Sequence, residues 1–213
     1  MAKVVRTERV SATRELILAT AERMFAERGL HEVSNRQISE AAGQGNNTAV
    51  GYHFGTKTDL IRAILQKHSV RVEDRRRELI AEAEGSTDLR VWVSCLVRPT
   101  TDYLATLGIP TYLARFNAQL MNDPILRAPL VDEMLTSQPM QAIIDALDKI
   151  LAHLPLEVRG ERGSMTRLLL LQMCAEYERA LAAGEPTNRA TWHEMATGLI
   201  DGIVGVWTAP VSQ

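Results

Sequence analysis

Only two cysteines occur in the 213 residues, Cys95 and Cys174, and neither stands in a metal-ligand spacing. That excludes a disulfide scaffold and a cysteine-built zinc site, and leaves buried free thiols as the expectation, with a redox switch as the alternative. Aromatic residues make up 5% of the chain and no Val/Ile/Thr alternation is visible, while Ala, Leu and Arg abound. Such a composition favours helices over strands. No purely aliphatic run exceeds four residues, as at Leu168 to Leu171, far below the roughly 20 needed to cross a bilayer. Lys3, Arg6 and Arg9 are followed by no apolar stretch of a secretory signal, so a cytoplasmic protein with no membrane partner is expected. There is no glycine-rich phosphate loop, His193-Glu194 lacks the second histidine of a metal-binding helix, and the carboxylates fall on what read as solvated faces. No metal, no cofactor and no catalysis are expected.

What is present is unevenly divided. Residues 1–78 hold 14 Lys/Arg against 10 Asp/Glu, and the remainder hold 10 against 16, so a net charge of −2 conceals a basic N-terminal part and an acidic C-terminal one. A basic module suits contact with a phosphate backbone. At this length two modest domains are expected, residues 1–57 as the first, 57–84 as a linking helix and 85–213 as the second, with Gly85-Ser86-Thr87 marking the boundary.

The stretch from Ser34 to Leu60 is the most informative. Ser34 and Gln37 form an S-x-x-Q capping box, with Val33 and Ile38 placed as a hydrophobic staple, so a helix start is specified twice. Ile38, Ala41 and Ala42 make a narrow apolar stripe, and Gly43 can take the left-handed conformation that ends a helix. Asn46 or Asn47 can cap a second short helix in which Val50 and Phe54 face inward, leaving Thr48, Ala49, Tyr52 and His53 as outward candidate readers. Thr56 and Asp59 repeat the capping pattern, which puts Lys57 in a helix first turn where a bound phosphate would relieve its charge. The order is helix, turn, helix, then a supporting helix.

The flanking segments fit around that element. Residues 1 to about 12 read as a loose basic arm, either a groove-following tail or a solvated one. Thr13 to Arg28 is an amphipathic helix with Ile17, Ala21, Met24 and Phe25 on one face, ended by Gly29. A long helix from Thr56 carries Leu60, Ile61, Ile64, Leu65, His68 and Val72 toward Arg75-Arg76-Arg77, a triplet about 27 Å of helix from Lys57 and expected to lie on a solvated face. Beyond Gly85, Leu89 to Leu107 reads as a helix kinked or broken at Pro99, followed by a turn at Gly108-Ile109-Pro110, a helix from Thr111 to Met121, and helical segments punctuated by Pro129 and Pro139. Residues 158–163, VRGERG, read as a loop.

Two final helices carry a separate message. Ser164 to Ala183 is apolar nearly all round, so both faces need cover. The last helix opens on a Thr191 and Glu194 capping box, repeats Trp192, Met195, Ala196, Leu199, Ile200, Ile203, Val204 and Trp207, and sets Gly198, Gly202 and Gly205 beside them. Glycine costs a helix up to ~1 kcal/mol against Ala, which a close helix contact would offset. A homodimer through Leu169, Gly198, Leu199, Gly202, Ile203 and Gly205 is expected, with a monomer core as the alternative.

With Thr13-Arg14-Glu15, Met24 to Gly29, Ile38, Ala41-Ala42-Gly43, Tyr52-His53-Phe54, Lys57 and Leu60 in view, residues 11–65 resemble the TetR family of bacterial transcriptional regulators. The resemblance implies an all-α fold, a three-helix DNA-binding domain followed by a helical ligand-binding and dimerisation domain that ends in an intersubunit four-helix bundle. It also implies a repressor, a palindromic double-stranded DNA operator and a small-molecule effector. Thr48 and Ala49 match positions that contact bases. Tyr52, His53 and Lys57 match positions that meet phosphates, and Arg36, Asn46 and Asn47 complete the expected DNA-binding set. Two departures stand out, a turn one residue longer and Gly51 where a larger residue is common. Trp92, Tyr103, Tyr112, Phe116, Met121, Met173 and Tyr177 are the expected lining of a pocket for a hydrophobic or aromatic effector. Competing readings are a DNA-binding regulator without a ligand and an all-helical enzyme or carrier.

Overall fold

The computed structural model describes residues 2–46, 48–127 and 136–211, and among them every regular element is helical. In chain order these are α1 (Ala2–Arg28), α2 (Asn35–Ala41), α3 (Ala49–Phe54), α4 (Lys57–Glu82), α5 (Leu89–Thr106), α6 (Leu113–Asn122), α7 (Gln138–Ile150), α8 (Leu156–Ala183) and α9 (Trp192–Thr208). Pro129 lies outside the described residues, while Pro139 stands in the first turn of α7, where its missing N–H costs nothing.

Two expected irregular segments are helical. The basic arm is the first part of α1, since residues 2–28 hold no glycine or proline to stop a helix before Gly29, whose φ is +92°. The 158–163 loop is the first part of α8. Its Arg162 is buried and donates to the carbonyls of Trp207 and Ala209 at 2.8 and 2.7 Å, so the end of α9 holds a segment that Gly160 and Gly163 alone would weaken.

Helix α1 is shared between two cores. Ile17, Ala21, Met24 and Phe25 are buried as expected, and α2 and α4 pack on this helix. So does α6: the rings of Phe25 and Phe116 stack at 6.1 Å, both fully buried. Past the end of α1, His31 pairs with Asp123, which begins the turn after α6 by accepting the N–H groups of Ile125 and Leu126 at 2.9 Å. At its other end α6 starts on the buried carboxylate of Glu178 from α8, which accepts the N–H groups of Ala114 and Arg115 at 3.0 Å and the Arg115 guanidinium at 3.1 Å. The N-terminal amides of this short helix are thus satisfied by a side chain from α8.

Pro99 does not break α5, which runs on to Thr106. Proline lacks the N–H that would bond the carbonyl four residues earlier, which is that of Cys95. The Arg76 guanidinium of α4 takes its place, donating to the Cys95 carbonyl at 3.0 Å while pairing with Glu73, also at 3.0 Å. The arginine triplet is therefore not a uniform solvated face: Arg76 is buried, whereas Arg75 pairs with Glu78 and Asp102, and Arg77 pairs with Asp74. An orphaned carbonyl across the interface is what draws the middle arginine in.

The C-terminal part is built on α5, with α9 packed along it and α8 against both α6 and α9. Leu199 and Ile203 turn inward and are buried within the protomer, so they are core rather than the interface expected of them. The reverse holds on α8, where Met165, Leu168 and Met173 are exposed at 49, 45 and 46%, and Leu169 is half-buried.

Replacing Arg76 by Ala is expected to cost about 2–3 kcal/mol in urea unfolding, the cost of leaving a buried carbonyl unpaired. The loss should be smaller in a Pro99→Ala background, where the backbone N–H returns; additive losses in the double-mutant cycle would refute the pairing. Both thiols are free and buried, and burial pushes Cys95 up to about 11 and Cys174 up to about 12. Neither should react with Ellman's reagent at pH 8 until the chain is unfolded, when both should.

Candidate nucleic-acid interface

Each helix of the 34–60 stretch has an identifiable start and stop. Ser34 accepts the Gln37 N–H at 3.2 Å while the Gln37 side chain accepts the Ser34 N–H at 2.8 Å, and Val33 and Ile38 are fully buried beneath this cap. The stop is a Schellman closure: Gly43, at φ +65°, donates to Glu40 and Gln44 donates to Ser39, both at 3.0 Å. Within α2, Ser39 rather than Ala41 completes the buried face. Its hydroxyl donates to the Asn35 carbonyl at 3.0 Å and accepts the Val50 N–H at 3.3 Å, which ties one amide in the first turn of α3 to α2.

The cap of α3 differs from either asparagine expected. Thr48 is the N-cap, and Asn46 acts one step earlier, its side-chain oxygen accepting from the Thr48 N–H at 3.0 Å and hydroxyl at 2.7 Å in an Asx turn. Asn47 lies outside the described residues. Val50 is fully buried and Phe54 partly so. Phe54 is covered by the Arg14 guanidinium at 4.3 Å from the ring centroid, and the same guanidinium donates to the His53 carbonyl. Arg14 thereby fixes the C-terminal end of α3 to α1. Neither Arg14 nor Ser39 was marked out by periodicity, because each acts through a backbone group distant in sequence.

The exposed surface of α3 is formed by Thr48, Gly51 and Tyr52, with Tyr52 80% exposed and His53 half-buried behind it, edge-on at 5.0 Å. Arg36 and Asn46 are exposed on the flank, Arg36 held by Glu40 at 2.8 Å. Ala49, expected to face outward, is buried, with 7% of its surface exposed, on a helix that packs against α2.

Lys57 also departs from expectation. The α4 start is built as predicted, with Thr56 and Asp59 exchanging hydrogen bonds and Gly55 at φ +83°, where an added Cβ would press on the Asp59 carboxylate. The Lys57 ammonium, however, turns in, donating to the Val33 carbonyl at 2.8 Å over the Phe25 ring at 5.5 Å. Burial holds it below the ordinary lysine value, partly countered by Asp123. In this conformation it braces α4 to the α1–α2 connection.

Residues 17–64 match the family model for bacterial regulatory proteins of the tetR family. The N-terminal domain is a tetR-family helix-turn-helix. No curated protein sequence matches the chain. A solved structure provisionally described as a TetR-family transcriptional regulator from Mesorhizobium loti MAFF303099 is similar at 14% identity and TM-score 0.48, over 93% of this chain and 96% of that chain. A tetR-family domain makes this chain a DNA-binding transcriptional regulator.

Of the seven residues expected to line an effector pocket, Trp92, Tyr177, Phe116 and Tyr103 have separate partners among the described residues. Trp92 donates to the Ser86 carbonyl at 2.9 Å, and Tyr177 donates to the Arg189 carbonyl at 3.0 Å with its ring edge-on to Trp192. Phe116 stacks on Phe25, Tyr103 bonds His68, Met121 is half-buried and Met173 is exposed. Tyr112 borders a cleft of about 400 Å³ that opens between α1, α4 and the α5–α6 connection.

Gly51 has an ordinary negative φ and open space at its missing Cβ. Gly51→Ala should therefore stabilise the tetR-family domain by about 0.5–1 kcal/mol, raising Tm by ~1–4 °C. A fall in Tm by calorimetry would mean that the position carries a backbone constraint.

Proposed function

We propose that the protein acts as a homodimeric repressor that holds α3 of each subunit in successive major grooves of a palindromic operator and is released by a small-molecule effector. The observation that supports DNA reading is the exposed Thr48-Gly51-Tyr52 face on a short helix whose every other side is pinned, by Ser39, Val50 and Arg14. A recognition helix needs that combination, because a bare surface gives contact and a rigid mount gives register. Thr48 takes the base-proximal role and Tyr52 the phosphate-proximal one, Arg36 and Asn46 flank them, and Lys57 serves chiefly to position α4.

Support for the dimer comes from the uncovered apolar face of α8, with Met165, Leu168 and Met173 exposed, beside Gly202 and Gly205 on α9, whose missing Cβ atoms face open space. Glycine would be wasteful there if water were its only neighbour. A second copy laid against α8 and α9 supplies the close contact, and two-fold symmetry then sets recognition helices about 34–36 Å apart, the spacing of one DNA turn. An effector that favours the dimer geometry with the wrong spacing lowers operator affinity by its differential affinity for the two forms.

Tyr52→Ala should leave stability within ~0.5 kcal/mol, since the side chain is 80% exposed, yet weaken a gel shift of the chain's own promoter-region DNA; an unchanged shift would remove Tyr52 from the interface. Sedimentation should give twice the 23.7 kDa chain mass. Gly202→Glu should return the protein to one chain mass with its helical circular dichroism intact. A wild-type monomer at micromolar concentration would overturn the dimer.

A further inference from the structure

The cleft at the joint between the helix-turn-helix domain and the C-terminal helices has a composition that sets it apart from a packing defect. On one side α1 contributes Thr20, Glu22 and Arg23; on another, α4 contributes Lys67 and His68. The third side is the α5–α6 connection, where Leu107, Pro110 and the Tyr112 ring give an apolar wall and Thr111 a hydroxyl. Its volume of about 400 Å³ falls within the range of small-molecule sites.

The floor is internally satisfied. His68, 6% exposed, has Nε2 at 2.9 Å from the Glu22 carboxylate and Nδ1 at 2.8 Å from the Tyr103 hydroxyl, so one residue each from α1, α4 and α5 joins in a buried polar chain. The mouth is different. Among the described residues Arg23 reaches only Glu27, at 3.4 Å, and Lys67 reaches only Glu15, at 3.7 Å, both stretched pairs between partly exposed groups. Such pairs contribute little in water. Two cations are therefore held at the rim of an apolar-walled cleft with no strong partner to give up.

We infer that this joint binds a small organic acid, its carboxylate taken by Arg23 and Lys67 and its apolar body laid against Leu107, Pro110 and Tyr112. This rests on the reading of the chain as ligand-responsive, and it puts the effector between the domains rather than inside the C-terminal helices. An acid seated there touches α1 and α4 on the DNA-binding side and the α5–α6 connection on the other. It therefore fixes the angle between the two, which is the quantity that sets recognition-helix spacing. The negative floor at Glu22 supplies selectivity, since it disfavours dianions and any acid that sinks too deep.

The full-length protein can be titrated calorimetrically with 2-naphthoate, and with 2-naphthamide and 2-naphthylmethylamine as neutral and cationic counterparts of the same shape. Naphthoate should bind and the other two should not. Arg23→Ala with Lys67→Ala should weaken naphthoate by at least about tenfold, the loss of charge-assisted contacts. Glu22→Gln should tighten it severalfold, because the glutamine oxygen still accepts from His68 while the repelling charge is gone. Naphthoate binding that survives the double substitution overturns this site while leaving ligand responsiveness standing. A preference for the amine that is lost in Glu22→Gln, or no binding by any of the three, overturns the organic-acid assignment. If naphthoate binds at these residues but operator affinity in a gel shift does not change, the site holds and release by an effector at this joint fails.

Discussion

One helix has to bury two faces at once, and much else depends on that. Helix α1 supplies Ile17, Ala21 and Phe25 to the core under the helix-turn-helix, and through the Phe25–Phe116 stack it also supplies the contact on which α6 rests. Two compact units joined only by a linking helix are free to swivel. Here α1 belongs to both, so a change in the tilt of α6 becomes a change in the tilt of the DNA-binding domain. His31 and Asp123 repeat the connection at one end of this contact, and Glu22, His68 and Tyr103 repeat it at the other.

The local elements were legible because their signals are local. The capping boxes at Ser34 and Thr56 and a left-handed glycine at Gly43 each involve residues a few positions apart, and each formed as the spacing implied; at Thr191 the hydroxyl accepts the Glu194 N–H, but the Glu194 carboxylate turns to the Ala190 N–H instead of completing the box. The amphipathic face of the first helix was equally plain. Misreadings cluster where a distant residue decides. Glycines at 160 and 163 look like a loop until Arg162 is seen to be held by carbonyls at the end of α9, and Pro99 looks like a break until Arg76 is seen to fill the bond it removes.

For the site the division is the same. The exposed face of α3 could be read from periodicity except at Ala49, which is small enough to be drawn into the α2 crossing. Lys57 satisfied every local criterion for an outward phosphate contact, but a flexible side chain beside a buried aromatic ring and an open carbonyl has a nearer partner. The aromatic residues of the C-terminal part were grouped by type rather than by place. Trp92 and Tyr177 each bond a different carbonyl and Phe116 stacks on Phe25, while the cleft beside Tyr112 lies where three sequence-distant segments fail to meet.

The Arg76 bond to the Cys95 carbonyl also bears on how the two long helices can move. Most helix–helix contacts are smooth enough that one rod can creep along another by trading one apolar neighbour for the next. An α-helix offers a free main-chain carbonyl in its middle only where a proline has removed the donor, and α5 has one proline. Arginine 76 has a single seat, with none a turn above or below. The pin fixes the register of α4 on α5, since sliding either helix would leave the Cys95 carbonyl without its donor.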